Sequence, residues 1–328
     1  MVKIKYGLIF TLIIIPFFFI GFRKDTINDE TIHMKHRYNR YLKTAIQDAS
    51  ASLLLYATYD RTKDNNNVNI DTTDAINTFF DSLYLQMGYD ISGVSTDYHY
   101  GLAEIKKYVP VILIMDYDGY YIYGMERYED EKGYHYTNHQ LLPKRYYTYR
   151  DEEDQVLQFF LDDYVQIHNV ETGEIIEGLY DEIKEHSDLL QKENFQIIKK
   201  ETIIKSIEDS LNVYINQHNE YGKGYGFLYD FYLPSIKDEE WDQLLEDIGI
   251  MAFLQGIPIF NDQYVNIYGI QGSKILSRTE YIGYVKEGVP FYGKEGCQIY
   301  KDYTVTAHFD NRKEAASRGY YPCPECNP

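Results

Sequence analysis

The chain has 328 residues, enough for one large domain or two ordinary ones with a buried core. Its 51 acidic against 32 basic residues leave a net charge of −19, and such a surface repels phosphate backbones and anionic lipid. Nucleic-acid binding by the body is therefore disfavoured. The 36 tyrosines are spread throughout, which suits half-buried strands where an apolar ring and a polar tip both find partners.

Tyr6 to Phe22 is an uncharged apolar run with basic residues only outside it, at Lys3, Lys5, Arg23 and Lys24. A run of about 17 residues reaches the lower limit for crossing a bilayer core and would have to be helical there. A cleavable leader needs small residues before the cut, and Phe17-Phe18-Phe19-Ile20-Gly21-Phe22 supplies bulky ones. The expectation is an uncleaved signal-anchor over residues 1–24. The positive-inside count is close to a tie, and the leader-like shape favours an exported body. On this reading the protein is a single-pass membrane protein, tethered through residues 6–22, with an extracytoplasmic body.

Tyr38, Leu42, Ile46, Ala49, Leu53 and Tyr56 then fall on one helical stripe, so Asp25 to about Tyr59 reads as a long stalk helix. The stripe can pack on the protein's own head or on a partner helix in a homo- or hetero-oligomer. Arg61 to Asp71 reads as a polar loop, and Thr72 or Thr73 as the cap of a helix carrying Ile76, Phe79, Phe80 and Leu83 on one face.

From Tyr108 the period changes to that of strands. Val109 to Met115, a turn at Asp116-Tyr117-Asp118-Gly119 and Tyr120 to Tyr123 make a hairpin. Tyr134 to Tyr149, Val156 to His168 and Glu174 to Leu179 continue the meander, for an antiparallel sheet of about five strands. This layout resembles the PAS-like sheets of extracytoplasmic sensor domains, which implies a ligand-binding or sensory module. Ile197 to Gln217 is a helix with Ile204, Ile207, Leu211 and Ile215 on one face. Tyr225 to Leu233 reads as a strand closed by Pro234. Ser235 or Asp238 opens a helix through Trp241, Leu244, Leu245 and Ile248, with Ile250 to Leu254 as its buried last turns. Short strands follow from Ile257 to Tyr284. The fold class is α+β: a transmembrane helix continuing into a long helix, an antiparallel-sheet central domain and a small C-terminal cysteine module. The divisions are 1–24 anchor, 25–60 stalk, 61–190 α+β domain, 191–285 helix-rich second part and 286–328 cysteine module.

All three cysteines lie near the C-terminus, at Cys297 and in Cys323-Pro324-Glu325-Cys326. A C-x-x-C pair is a thiolate knuckle, half of a structural zinc site. Phe309-Asp-Asn-Arg-Lys-Glu314-Ala315 followed by Gly319-Tyr-Tyr-Pro-Cys323-Pro-Glu-Cys326-Asn-Pro328 resembles the zinc-binding module of Ada-type DNA repair methyltransferases. The resemblance covers about Phe291 to Pro328 and implies zinc held by Cys297, Cys323 and Cys326. In that family a fourth ligand stands four residues before the upstream cysteine, and here that position is Gly293. His308 is the candidate replacement. The absent ligand is the family's methyl acceptor, so methyl transfer is not implied. A metal-free relic of the fold, a disulfide with one odd thiol, and an open catalytic zinc are the competing readings.

Asp116, Asp118 and Gly119 have the look of a calcium loop, but a hairpin turn explains them without the missing later ligands. His33 and His36 are spaced to share a helix face. Gly269 to Lys274 has a faint phosphate-loop flavour without the full spacing. No metallopeptidase, nucleophile-elbow or dinucleotide motif occurs. The functional expectation is a non-enzymatic envelope assembly protein of a pilus, conjugation or secretion-like apparatus. The alternatives are the sensory module and a nucleic-acid-associated protein using the Ada-like module.

Overall fold

The computed structural model describes residues 2–55, 58–60, 67–89, 96–133, 135–151, 155–224, 226–260, 263–272, 281–294, 297, 303–309 and 312–326. These fall into two units, Met1–Ser273 and Lys274–Pro328.

The first unit begins with α1, Val2–Leu55, a single helix of 54 residues. Its stripe behaves as its spacing requires: Leu42, Ala45, Ile46, Ala49 and Leu53 are buried, while Arg40, Lys43 and Gln47 face outward. Tyr56 and most of the polar loop from Arg61 lie outside the described residues. The membrane reading is corrected here. Among the described residues, no helix is long and apolar enough to cross a membrane. The apolar run has only the minimum spanning length, and it is one end of a much longer helix whose described stripe packs on protein. The transmembrane anchor and the single-pass localisation fall together.

A short ladder, β1 (Thr58–Asp60) with β2 (Asn67–Asn69), leads to α2 (Thr72–Gln86) and α3 (Thr96–Lys106). The cap of α2 is Asp71, one residue earlier than expected, whose carboxylate accepts from the Asp74 N–H at 2.8 Å. Buried Ile76, Phe79, Phe80 and Leu83 turn α2 inward, and Ser82 Oγ donates to Asp48 of α1 at 2.5 Å.

The strands are β3 (Val111–Asp116), β4 (Gly119–Glu129), β5 (His135–Leu141), β6 (Arg145–Arg150), β7 (Gln155–Phe159), β8 (Tyr164–Asn169) and β9 (Ile175–Leu179). A short α4 (Tyr180–Ile183) and then α5 (Phe195–Gly224) and α6 (Asp238–Leu245) follow, before β10 (Gly249–Pro258) and β11 (Tyr264–Gly272). All but β1 and β2 of these strands join one nine-stranded antiparallel sheet, ordered β11-β10-β3-β4-β6-β7-β8-β9, with β5 paired to β4. The meander of five expected strands is larger because α5 and α6 carry the chain back, and β10 pairs with β3.

That pairing explains the main misreading. Ile250 to Leu254 is not the end of a helix but the middle of β10, and all five side chains are buried. A wholly apolar run carries no period, so helix and central strand cannot be told apart in it. Val111, Leu113 and Met115 of β3, with Met251 and Phe253 of β10, meet Ile203, Ile207 and Leu211 of α5 in one core. On the opposite face the register aligns Ile112, Ala252 and Gly269. A Cβ on Gly269 would lie 2.7 Å from Ile46 Cδ1, so the bare glycine leaves room for the tip of that α1 side chain against the sheet. Gly269 to Gly272 are thus strand residues, not a phosphate loop.

The expected strand from Tyr225 to Leu233 is absent, and residues 226–237 carry no helix or strand. Two side-chain amides take the place of a neighbouring strand there. Asn219 donates to the Phe231 carbonyl and accepts from its N–H, both at 2.7 Å. Gln255 repeats the pattern on Tyr232, at 2.8 and 3.2 Å.

The β3–β4 hairpin confirms the turn over the calcium loop. Lys144 bridges Asp116 at 2.6 Å and also pairs with Asp118, so an ammonium fills the place a cation would take. Burial works against the Lys144 charge, but the two carboxylates hold its pKa well above the usual range. His33 and His36 are both exposed on α1.

His139 of β5 and His218 of α5 lie with ring centroids 5.4 Å apart. Nε2 of His218 donates to the Lys107 carbonyl at 2.9 Å, while His218 Nδ1 and His139 Nε2 are buried without a hydrogen-bond partner among the described residues. Burial pushes His139 down to about 3, helped by His218 and Lys106, and it pushes His218 down to about 4 despite the Lys107 carbonyl.

Two outcomes are expected. Asn219→Leu strips both partners from the Phe231 backbone and should cost about 2 kcal/mol or more in chemical denaturation. A loss within about 0.5 kcal/mol would mean the amide clamp is ornamental. In both histidines the folded pKa lies below the unfolded 6.5, so the unfolded chain takes the proton first as pH falls. Their contribution to stability is complete above pH 6.5 and is lost as pH falls toward about 4 for His218 and about 3 for His139. A His139→Gln/His218→Gln double variant should show a shallower loss of unfolding free energy over that window. Equal slopes for the variant and the native chain would contradict the buried neutral pair.

Candidate metal centre

The second unit is built from β12 (Tyr281–Lys286), β13 (Val289–Lys294), β14 (Val305–Phe309), α7 (Arg312–Ser317) and β15 (Tyr321–Pro322). Its sheet is ordered β14-β12-β13-β15. The β12–β13 hairpin closes through Glu287 and Gly288, whose positive φ of 55° and 84° match the twist of a two-residue hairpin loop. The chain leaves α7 through Tyr320 N–H on the Ala315 carbonyl at 3.1 Å. Ala315 of α7 is fully buried against Tyr281, Tyr292 and Phe309, which fixes the helix on one side of the sheet. β15 then runs parallel to β13, and Cys323 N–H continues the ladder onto the Tyr292 carbonyl at 2.8 Å.

This ladder delivers the C-x-x-C turn to the residues after β13. The sulfurs of Cys297, Cys323 and Cys326 all lie within 4.8 Å of one another, and this group can hold a metal ion. Cys297 and Cys323 are 3.9 Å apart at sulfur, and none of the three cysteines is in a disulfide. Cys323 is buried, whereas Cys297 and Cys326 are half-buried. They sit in a small cluster with Tyr284, Phe291 and Tyr303.

Burial raises the Cys323 thiol, yet its pKa is lowered overall. The Tyr284 hydroxyl beside it and the Cys326 and Glu325 backbone N–H groups together outweigh the desolvation. Turn N–H groups aimed at one sulfur are the device by which a knuckle favours thiolate. Tyr284 is fully buried in the same cluster, and its hydroxyl forms no hydrogen bond among the described residues. Burial first and then the three cysteines raise its own pKa well above that of a free tyrosine. Sequence reasoning missed Tyr284, because only the strand register shows that it shares a face with this site.

Gly293, the gap in the resembling motif, is buried and faces the three cysteines. A Cβ placed on it would lie 3.3 Å from Cys326 Sγ, 3.5 Å from Cys323 Cβ and 3.7 Å from Cys297 Cβ. His308 is not brought to this group. It pairs with Ile282, which pairs in turn with Gly293, so His308 lies two strands and about 10 Å from the glycine. It is exposed, and the ligand-atom cluster does not contain it. No family model, no curated protein and no solved structure matches this chain.

Tyr284→Phe should keep the fold and raise the ionisation midpoint of Cys323, because it removes the polar group beside that sulfur. Alkylation rate against pH, in metal-free chain carrying Cys297→Ser and Cys326→Ser, reads that midpoint. An unchanged midpoint would remove the hydroxyl from the site.

Proposed function

We propose that Lys274–Pro328 is a zinc module of the Ada type with one ligand replaced by glycine, and that it serves a non-enzymatic scaffold or assembly protein. The observation that carries the zinc reading is the sulfur geometry. Tetrahedral zinc with bonds of about 2.3 Å holds its sulfurs roughly 3.8 Å apart, and Cys297 and Cys323 stand 3.9 Å apart. The size of the unit supports the same reading. A body of about 55 residues buries too little apolar surface to be secure alone, and metals or disulfides usually supply the balance. Its buried clusters are small, and its cysteines are not paired into a disulfide.

The non-enzymatic reading rests on what the buried charges do. Lys144 is spent on Asp116 and Asp118, and Lys199 on the Asp162 carbonyl, so these groups hold the body together rather than wait on a substrate. The net charge of −19 argues against nucleic acid as the partner.

A second reading is favoured by a groove of about 340 Å³ between the β4–β5 hairpin and the end of α5. Arg127, Thr137, Gln217, Glu220 and Tyr221 line it, and Gln217 Oε1 is buried without a partner among the described residues. Such a mixed polar lining suits a small zwitterion in a sensory module.

Purified full-length chain should carry one equivalent of zinc by elemental analysis, and Cys323→Ser should lose it with a drop in the stability of the second unit. Metal-free native protein containing a disulfide would sink the zinc reading.

A further inference from the structure

The three cysteines approach one another around a residue with no side chain. Zinc in closed structural sites takes four ligands. Among the described residues the metal-capable group supplies three, all sulfur. The direction left over is legible in the packing of Gly293. A side chain there would point among the cysteines, 3.3 Å from Cys326 Sγ and within 3.7 Å of Cys297 Cβ. No bulk from β13 blocks that direction, because glycine contributes none. Gly293 is itself buried, while Cys297 and Cys326 are half-buried, so the sulfur group is partly reached by solvent.

We propose that the fourth coordination position of this metal lies at Gly293 and is taken by an exogenous small thiol. The proposal rests on the zinc reading above. The chemistry of the donor set selects the ligand class. Three thiolates already give the zinc centre an overall negative charge, which weakens its hold on hard oxygen donors and its power to acidify water. A soft, polarisable sulfur loses least under those conditions, and thiolate ligands are the class such sites prefer. His308 does not compete for the place, since Ile282 stands between its strand position and Gly293.

The test uses full-length chain loaded with cobalt(II) in place of zinc and titrated anaerobically with 2-mercaptoethanol, read by the visible spectrum. The native chain should bind one cobalt and show a saturable spectral change on adding the thiol. Gly293→Ala puts a methyl group where the incoming sulfur sits, and should retain cobalt while weakening the thiol response about tenfold or more. Gly293→Cys supplies the fourth sulfur itself, and should show the thiol-saturated spectrum before any thiol is added. One cobalt bound with no response to thiol overturns the proposal, as does an equal response in native chain and Gly293→Ala. Failure of the native chain to bind cobalt overturns the zinc reading, and the proposal with it. Circular dichroism of each variant separates misfolding from a closed site, and the Gly293→Ala arm decides the matter if Gly293→Cys does not fold.

Discussion

The first unit depends on two strands that must be covered on both faces. β3 and β10 lie side by side in the interior of the sheet, and every described side chain from Val111 to Met115 and from Ile250 to Leu254 is buried. A single layer of helices would leave half of that apolar surface in water, at about 25 cal/mol for each Å². The sheet therefore needs α5 on one side and α1 with α2 on the other. The stripe of α1 from Leu42 to Leu53 follows from that requirement. The bare Gly269 leaves room for the tip of Ile46 against the strand. α5 is held by more than apolar contact: Tyr120 and Arg145 both hydrogen-bond to Ser210, at 2.8 Å each, and Arg145 also donates to Tyr214 at 2.9 Å. Buried polar groups paired in this way fix the position of the helix along the sheet as well as its distance from it.

The second unit solves a different problem. It has few residues to bury, so its order comes from a backbone ladder and a sulfur cluster. Cys323 belongs to both, through its N–H on Tyr292 and its sulfur among the other two. The strand that positions the knuckle is thus the strand that carries Gly293, and a metal held by the three cysteines would share one equilibrium with the fold of this unit.

Much of this architecture is legible in residue spacing alone. The stripe from Leu42 to Leu53, the β3–β4 hairpin and the buried face of α5 each follow from local pattern, and local pattern survives folding; the closeness of the C-x-x-C pair to Cys297 is implied by the resemblance to the Ada-type module. The failures share a cause. Ile250 to Leu254 carries no period, and its strand identity comes from β3, more than 130 residues earlier. Tyr225 to Leu233 has strand composition, but Asn219 and Gln255 supply its hydrogen bonds, so no ladder forms. The apolar run at the start has the composition of a minimal membrane span, yet among the described residues no helix is long and apolar enough to cross a membrane. His308 matches the chemistry of a fourth ligand, while the strand pairing places it two strands away from Gly293. Tyr284 has no local signal at all, because its role exists only once β12 pairs with β13.

X-ray absorption at the zinc edge of the full-length chain tests the central claim most directly. The expected spectrum has three sulfur scatterers at about 2.3 Å, plus one further ligand whose identity changes when a small thiol is added. A first shell made wholly of nitrogen and oxygen, or a chain that retains no zinc and holds a disulfide, would contradict it.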